Sequence, residues 1–447
     1  MQVIGALLLM MAALWSAPCA GADFQEYVER YGELFDAGNY DAALAEARRF
    51  EAAARAQHGS RHESYAGALY LEARALYVLG KYPEAEKLYK TALRIFEKAV
   101  PNAYSMRDLA RTLNGLGRVY EHEGRYAEAQ SVQQRALSVI EGAPSADQFV
   151  VSEALEDMGN AYFAEGRYAE AEDYYRRALA IREKGSDPVS RRGVSQTLNL
   201  IANVYGRTGR FAEAEPLIKR AIDIQEQLAG RDHPDVAKSL TNLAELYRLT
   251  GRYAQAEVLQ RRALDIQERA LTPDHPHVGV TLNNLALTYF SWGRYADALP
   301  LYERSVATQE KALGREHPQV ALSLNNLGIT YMRLGQYEAA EQALKRALAI
   351  REKVLPQDHP DIAQTLGNLA TDYRYAGKAA DGLPLLQRAI AIMEKNYGPD
   401  HLNVTYALTA TANADVALGR YAEGEPFAQR SLSIRQKALG PDHTDVA

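Results

Sequence analysis

The sequence predicts an all-α solenoid, a chain of stacked helix pairs without one central core. Three observations carry that prediction. A glycine recurs as Gly38, Gly80, Gly124, Gly166, Gly209, Gly251, Gly293, Gly335, Gly377 and Gly419, at spacings of 42 to 44 residues. From the second copy on, the residue seven before it is small (Ala73, Gly117, Gly159, Ala202, Ala244, Ala286, Gly328, Ala370, Ala412), and alanine or glycine stands five after it, as at Ala85, Ala340 and Gly382. An aromatic residue frames it, four before at Tyr120, Tyr162, Tyr205, Tyr247, Tyr289, Tyr331 and Tyr373, and two after at Tyr82, Tyr126, Tyr168, Phe211, Tyr253, Tyr295, Tyr337 and Tyr421. A period of this length is the mark of units that bury their apolar faces only by stacking on neighbours.

The copy from His317 to Asp358 shows how one unit is built. Leu324, Leu327, Gly328 and Tyr331 share one face of a first helix, and Ala340, Ala343, Leu344, Ala347 and Leu348 share one face of a second. Gly335 lies between them, where a helix ends most easily in the left-handed conformation that glycine alone enters without steric cost. The unit is therefore an antiparallel pair, with small residues where the helices cross and tyrosines packed between them. The ninth copy departs from the pattern, with Ala379 for the aromatic and Gly382 for the alanine, and in the tenth Asp415 replaces the tyrosine. Looser packing is expected there.

These offsets resemble the tetratricopeptide repeat, and the long period resembles its kinesin-light-chain type. The loops Asp232-His233-Pro234-Asp235-Val236, Asp274-His275-Pro276-His277-Val278, Glu316-His317-Pro318-Gln319-Val320 and Asp358-His359-Pro360-Asp361-Ile362 carry that likeness, as do Leu282-Asn283-Asn284-Leu285 and Leu324-Asn325-Asn326-Leu327. The resemblance implies a right-handed superhelical solenoid of about ten tetratricopeptide helix pairs over residues 23–447, with the last unit incomplete from about residue 440. It also implies that first helices line a concave groove in which extended peptides or partner proteins bind.

The first 22 residues differ from the rest. Val3 to Trp15 is apolar and uncharged, and Ala20-Gly21-Ala22 follows. Thirteen residues are short for a membrane span, so a signal peptide cleaved after Ala22 is expected, giving a periplasmic or secreted protein without stable membrane insertion. Cys19 raises a lipoprotein alternative, although Ser16-Ala17-Pro18 fits an acylation motif poorly. Removal of this segment leaves no cysteine, hence no disulfide framework. The 51 Lys and Arg residues against 57 Asp and Glu give a net charge of −6, which does not suit general nucleic-acid binding.

No nucleophile elbow, phosphate-binding loop, paired-cysteine motif or His-Glu-x-x-His occurs, so the chain is expected to be no enzyme and to need no cofactor. His233, His275, His317, His359, His401 and His443 share one place in the repeat. Neighbouring helices pack about 8–10 Å apart and zinc needs nitrogens at about 2 Å, so these are expected to shape loops, with the adjacent Asp or Glu near unpaired N–H groups and proline starting the helix. Binding is expected from first-helix asparagines: Asn242, Asn284, Asn326 and Asn368 nine before the glycine, and Asn114, Asn199, Asn283 and Asn325 ten before it. An amide both donates and accepts, so such a row can hold a peptide backbone, or else bond the neighbouring helix. Arg248, Arg333 and Arg374 lie further along these helices and suit an acidic or amphipathic partner. The expected function is a protein- or peptide-binding scaffold. Its alternatives are a self-assembling solenoid and a docking subunit for a separate enzyme.

Overall fold

A computed structural model describes residues 24–99, 103–141, 148–164 and 166–439. The expected signal peptide, its cleavage site, His443 and the incomplete last unit lie outside them. The described residues form twenty α-helices in ten antiparallel pairs, with a 3-10 turn at Leu402–Val404 and no strand. None of these helices is long and apolar enough to cross a membrane.

The chain divides between Asn284 and Leu285 into two compact units. The first holds the pairs Gln25–Asp36 with Tyr40–His58, Glu63–Val78 with Tyr82–Phe96, and Ala103–His122 with Tyr126–Glu141. It continues through Gln148–Ala164 with Tyr168–Arg182, Pro188–Arg207 with Phe211–Ala229, and Pro234–Leu249 with Tyr253–Ala270. The division falls inside the next helix, Pro276–Ser291. The second unit contains Tyr295–Leu313, then Pro318–Arg333 with Tyr337–Val354, Pro360–Tyr375 with Ala379–Tyr397, and Thr405–Ala417 with Tyr421–Leu439.

Local chemistry sets both ends of the first helices. All ten repeat glycines have φ between 71° and 78°, the left-handed region. The starts differ from expectation. The cap is the histidine ring itself, not the neighbouring acid: Nδ1 of His233, His275, His317, His359 and His401 accepts the backbone N–H two residues on, at 3.1 to 3.2 Å. His62 caps the second pair in the same way. An N-terminal N–H with no intrahelical partner is thereby satisfied.

Small residues at the crossings are buried as expected, including Ala73, Ala85, Ala244, Ala256 and Ala340. The ninth pair shows why glycine stands at 382. A Cβ there would lie 3.1 Å from the Ala370 carbonyl oxygen and 3.2 Å from its Cα, so the two helices cross too closely for alanine without a shift. Ala379, in the aromatic place, is buried.

The tyrosine stripe does more than pack. Tyr205 donates to Glu172 at 2.9 Å, Arg210 pairs with the same carboxylate at 2.7 Å, and the Arg210 guanidinium lies 3.8 Å from the Tyr205 ring centre. Tyr247, Arg252 and Glu215 repeat the arrangement one pair later. Lys219, then Arg252 and Tyr247, hold the Glu215 carboxyl down at about 2. In the second unit Tyr373 and Lys378 share Glu341. Each pair is thus fastened to the second helix of the pair before it.

Candidate binding cavity

The first unit encloses a cavity of about 760 Å³. Its wall is built from one face of successive first helices. Gly67, Tyr70, Arg74 and Tyr77 come from the second pair, and Asp108, Arg111, Asn114 and Arg118 from the third. Glu153 and Asp157, then Arg192 and Gln196, then Asp235 and Lys238 continue it. These spacings of three, four and seven fall on one side of a helix. The residues thirteen before the repeat glycine (Gly67, Arg111, Glu153, Gln196 and Lys238) all line the cavity.

Charges in the wall are paired across neighbouring first helices. Arg118 bonds Asp157 Oδ1 through Nε at 3.1 Å and Nη2 at 2.5 Å. Arg111 meets Glu153 at 3.2 Å, and Arg192 meets Asp235 at 3.8 Å. Burial raises the Asp157 carboxyl pKa although Arg118 pulls it down, while Asp157 raises that of Arg118. The arginine is the accessible member: its side chain is 51% exposed, against 4% for Asp157. Arg74 stacks over Phe35 at 4.3 Å, and Tyr70 and Tyr89 pack at 6.0 Å. The wall therefore offers guanidinium groups and aromatic faces to an occupant, with the carboxylates of the tightest pair behind.

Ten of the eleven residues selected from sequence do not line this cavity. Asn199 is buried and its amide donates to Ser195 O at 2.9 Å and Ser239 Oγ at 2.8 Å, while Asn242 donates to Asn199 Oδ1 at 3.0 Å. Asn368 repeats this rung in the second unit, donating to Asn325 Oδ1 at 2.9 Å. Asn283 is buried, and Asn284 and Asn326 are half-buried. Asn114, from the same register, does line the cavity. Asp157 stands where other copies place the donor asparagine, and the buried Asn114 Oδ1 has no partner among the described residues.

Arg248 is tied to Glu245 on its own helix at 2.6 and 2.7 Å. Burial of the hydroxyl raises the Tyr406 pKa, which Thr371 and then the charges of Arg333 and Arg374 oppose. Tyr406 donates to Asn368 Oδ1 at 2.8 Å, and Arg374 lies 4.0 Å from the Tyr375 ring centre. In this unit the row thirteen before the glycine reads Leu322, Gln364 and Tyr406, with Leu322 and Tyr406 among the exposed large apolar residues. Sequence reasoning missed the lining residues Arg74, Arg111, Arg118, Arg192 and Lys238. Their signal was the shared helix face, not a shared residue type.

A Tetratricopeptide repeat model matches residues 108–184, 193–269, 235–311, 278–353 and 361–423. Related models of the same description match residues 33–104 and 405–445. A comparison with curated proteins finds no match. Among solved structures, nearly identical TPR-like repeats of a kinesin light chain from Podosopora anserina are 28% identical, covering 46% of this chain and 98% of that one, with a TM-score of 0.41. BtubC (BKLC) from P. vanneervenii is 25% identical over 52% of this chain and 91% of its own, at 0.44. A Rap protein solved in complex with competence and sporulation factor is 16% identical, covers 83% of this chain and 98% of its own, and shares the fold with a TM-score of 0.55. The repeat glycines, the crossing residues and the helix pairs they define, together with a model match over most of its length, place this chain in the tetratricopeptide repeat family.

Proposed function

We propose that the chain is a non-catalytic scaffold that holds an extended peptide or a segment of a partner protein against its first helices, and that it acts after export. The observation that supports this most is the first-unit cavity, whose wall combines paired charges with aromatic faces. Its volume of about 760 Å³ suits a short segment. Arg118 is far more accessible than its carboxylate, which favours an occupant carrying a carboxylate. In the second unit the exposed Tyr375 and Tyr406, close to Arg333 and Arg374, suit an acidic, amphipathic segment in the same way.

A partner recovered from periplasmic extract with the exported protein, then titrated in purified form, tests the reading. Gln196→Glu and Lys238→Glu, both at exposed positions of the wall, should each weaken binding at least about tenfold with melting temperature nearly unchanged. Undiminished affinity in both folded variants would remove the cavity as the binding site. Asn284→Ala and Asn326→Ala, titrated in parallel, separate ligand contact from inter-helix bonding. The first outcome lowers affinity alone; the second lowers melting temperature first. N-terminal sequencing of the exported protein should begin at Asp23, and a start at Met1 or Cys19 would contradict export by cleavage at Ala22.

A further inference from the structure

The first helix pair does not touch only its neighbour in sequence. The turn between Gln25–Asp36 and Tyr40–His58 rests on the loop that opens the seventh pair. A Cβ placed on Gly38 would lie 2.7 Å from Cδ2 and Nε2 of the His275 ring and 3.1 Å from Cδ of Pro276. The same test at Gly166, Gly209, Gly251, Gly293, Gly335, Gly377 and Gly419 meets nothing within 4 Å. His275 and Pro276 are buried there. Asp36, beside the glycine, feels the charges of Lys238, Asp235 and Arg192. Phe35, Asp36 and Tyr40 line the cavity on one side of this seam, and His233, His275 and His277 line it on the other. The wall thus starts at the first pair, takes in each of the next five, and returns to the first.

The pairs along this wall are tied to one another. The first pair is packed on Glu63–Val78, where Arg48 meets Glu72 at 2.9 Å and the Arg74 guanidinium lies 4.3 Å from the Phe35 ring centre. An ion pair crosses each of the next four junctions, at 2.5 to 3.2 Å. Parting the seam would have to disrupt packing at one or more of these junctions, and close-packed interfaces do not yield gradually. A polypeptide inside such a perimeter has entered through a mouth, end first. An internal segment of a folded partner carries a domain on each side, and neither passes through a cavity of about 760 Å³. A tail has no such obstacle.

We propose that the first-unit cavity takes the free end of a linear polypeptide and refuses internal segments of folded proteins. This rests on the cavity being the binding site. The wall also sets what the tail carries: a carboxylate for the accessible Arg118, and an aromatic or aliphatic side chain for Tyr70 and Tyr77. The probes are heptapeptide libraries, displayed either at a free end of a carrier protein or in a loop closed by a disulfide. They are selected against the full chain carrying Cys19→Ser. Peptides should be enriched from the free-end display and not from the loops, and should lose affinity for the Lys238→Glu chain.

One enriched peptide is then prepared with a small folded domain at the end that joined the carrier, or with a domain at both ends. One domain should leave its affinity unchanged. Two should weaken it at least about a hundredfold, because binding would wait on a rarely open perimeter and apparent affinity falls with that fraction. A second measurement locks the seam. Ala37→Cys and Thr272→Cys, at exposed positions on its two sides, are bridged with a bis-maleimide in the Cys19→Ser chain. The bridged protein should bind the one-domain peptide as well as the unbridged protein does. Equal affinity for the two-domain peptide, or loss of binding on bridging, would overturn end-first entry and leave the cavity as the site. Enrichment from no library, or of peptides indifferent to Lys238→Glu, would remove the cavity as a peptide site and this proposal with it.

Discussion

The two units are built from one repeat yet treat their inner row of side chains differently. In residues 24–284 the row carries Arg111, Glu153, Gln196 and Lys238, and its charges are paired, Arg111 with Glu153 on the next first helix and Lys238 with Asp235 on its own helix. In residues 285–439 the same row carries Leu322, Gln364 and Tyr406, largely exposed and apolar. A second contrast lies in the core. The first unit buries a carboxylate, Asp157, and supplies Arg118 for it. The second buries Asp372 completely, and neither carboxylate oxygen has a partner among the described residues. The difference teaches that the repeat fixes where side chains point and leaves open whether a buried charge is answered.

The largest effect should come from breaking the answered charge. Arg118→Ala leaves the Asp157 carboxylate buried without a counter-charge, with the Asn160 hydrogen bond remaining, and should cost about 3 kcal/mol in denaturant unfolding. Arg333→Ala, on an exposed side chain of the second unit, should stay within about 0.5 kcal/mol. Equal losses would mean that the cavity ion pair matters no more than a surface charge.

The unanswered charge should respond in the opposite direction. Burial, with Glu341 and Glu338 nearby and only Lys378 opposing, raises the Asp372 carboxyl to about 6. A folded-state pKa above the unfolded one means stability is fully present below about 4 and is lost as pH rises through about 6. Asp372→Thr installs the residue type found at this place in Thr288 and Thr330. It should stabilise the second unit by about 1–3 kcal/mol at pH 7, a gain that disappears in acid. A gain independent of pH would show that the aspartate costs packing and not ionisation.

Acid should separate the units further. Burial lowers His233, His275 and His277, the last to about 4 from 6.5. Asp235 opposes this at His233 and His277, Lys238 adds to it at all three, and Arg192 adds to it at His233. The unfolded chain therefore takes up protons first, and first-unit stability should fall as pH drops from about 6.5 towards 4. His359 carries the same liability in the second unit, but Asp372 offsets it there. Hydrogen exchange at pH 5 against pH 7 should show a larger loss of protection in Pro234–Leu249 than in Pro360–Tyr375; the reverse order would remove the histidine explanation.

The smallest effect concerns the ninth pair, where Gly382 in a helix interior costs about 0.5–1 kcal/mol relative to alanine. Residues 365–395 should exchange earlier than residues 320–354. Equal protection would show that the close crossing at Ala370 makes good the loss.

Much of this fold was legible because its constraints are steric. Ten glycines mark ten turns since no other residue takes φ near 75° cheaply, and small residues mark crossings because helices touch there. The caps were less legible. An acid beside an imidazole draws attention to its charge, yet the neutral ring nitrogen is the acceptor in the loops from His233 to His401. The site was least legible, for a physical reason. Asn199 with Asn242 and Asn325 with Asn368 recur because an inter-helix rung needs the same amide in neighbouring copies. The cavity wall makes no such rung, so Gly67, Arg111, Glu153, Gln196 and Lys238 repeat in position but not in kind. Repeated chemistry marked the scaffold, and varied chemistry at a fixed offset marked the surface.

The seat of Gly38 on His275 also fixes an order of events in folding. Contacts between neighbouring pairs close short loops and can form as the chain emerges, whereas this contact joins the first turn to the seventh pair and requires every pair between them to be stacked. The N-terminal helices, made first, must wait for their last partner. During synthesis, and after dilution from denaturant, the chain should pass through a stage with helices stacked but the contact at Gly38 not yet made. The slowest refolding phase of the first unit should therefore be the one that closes its cavity.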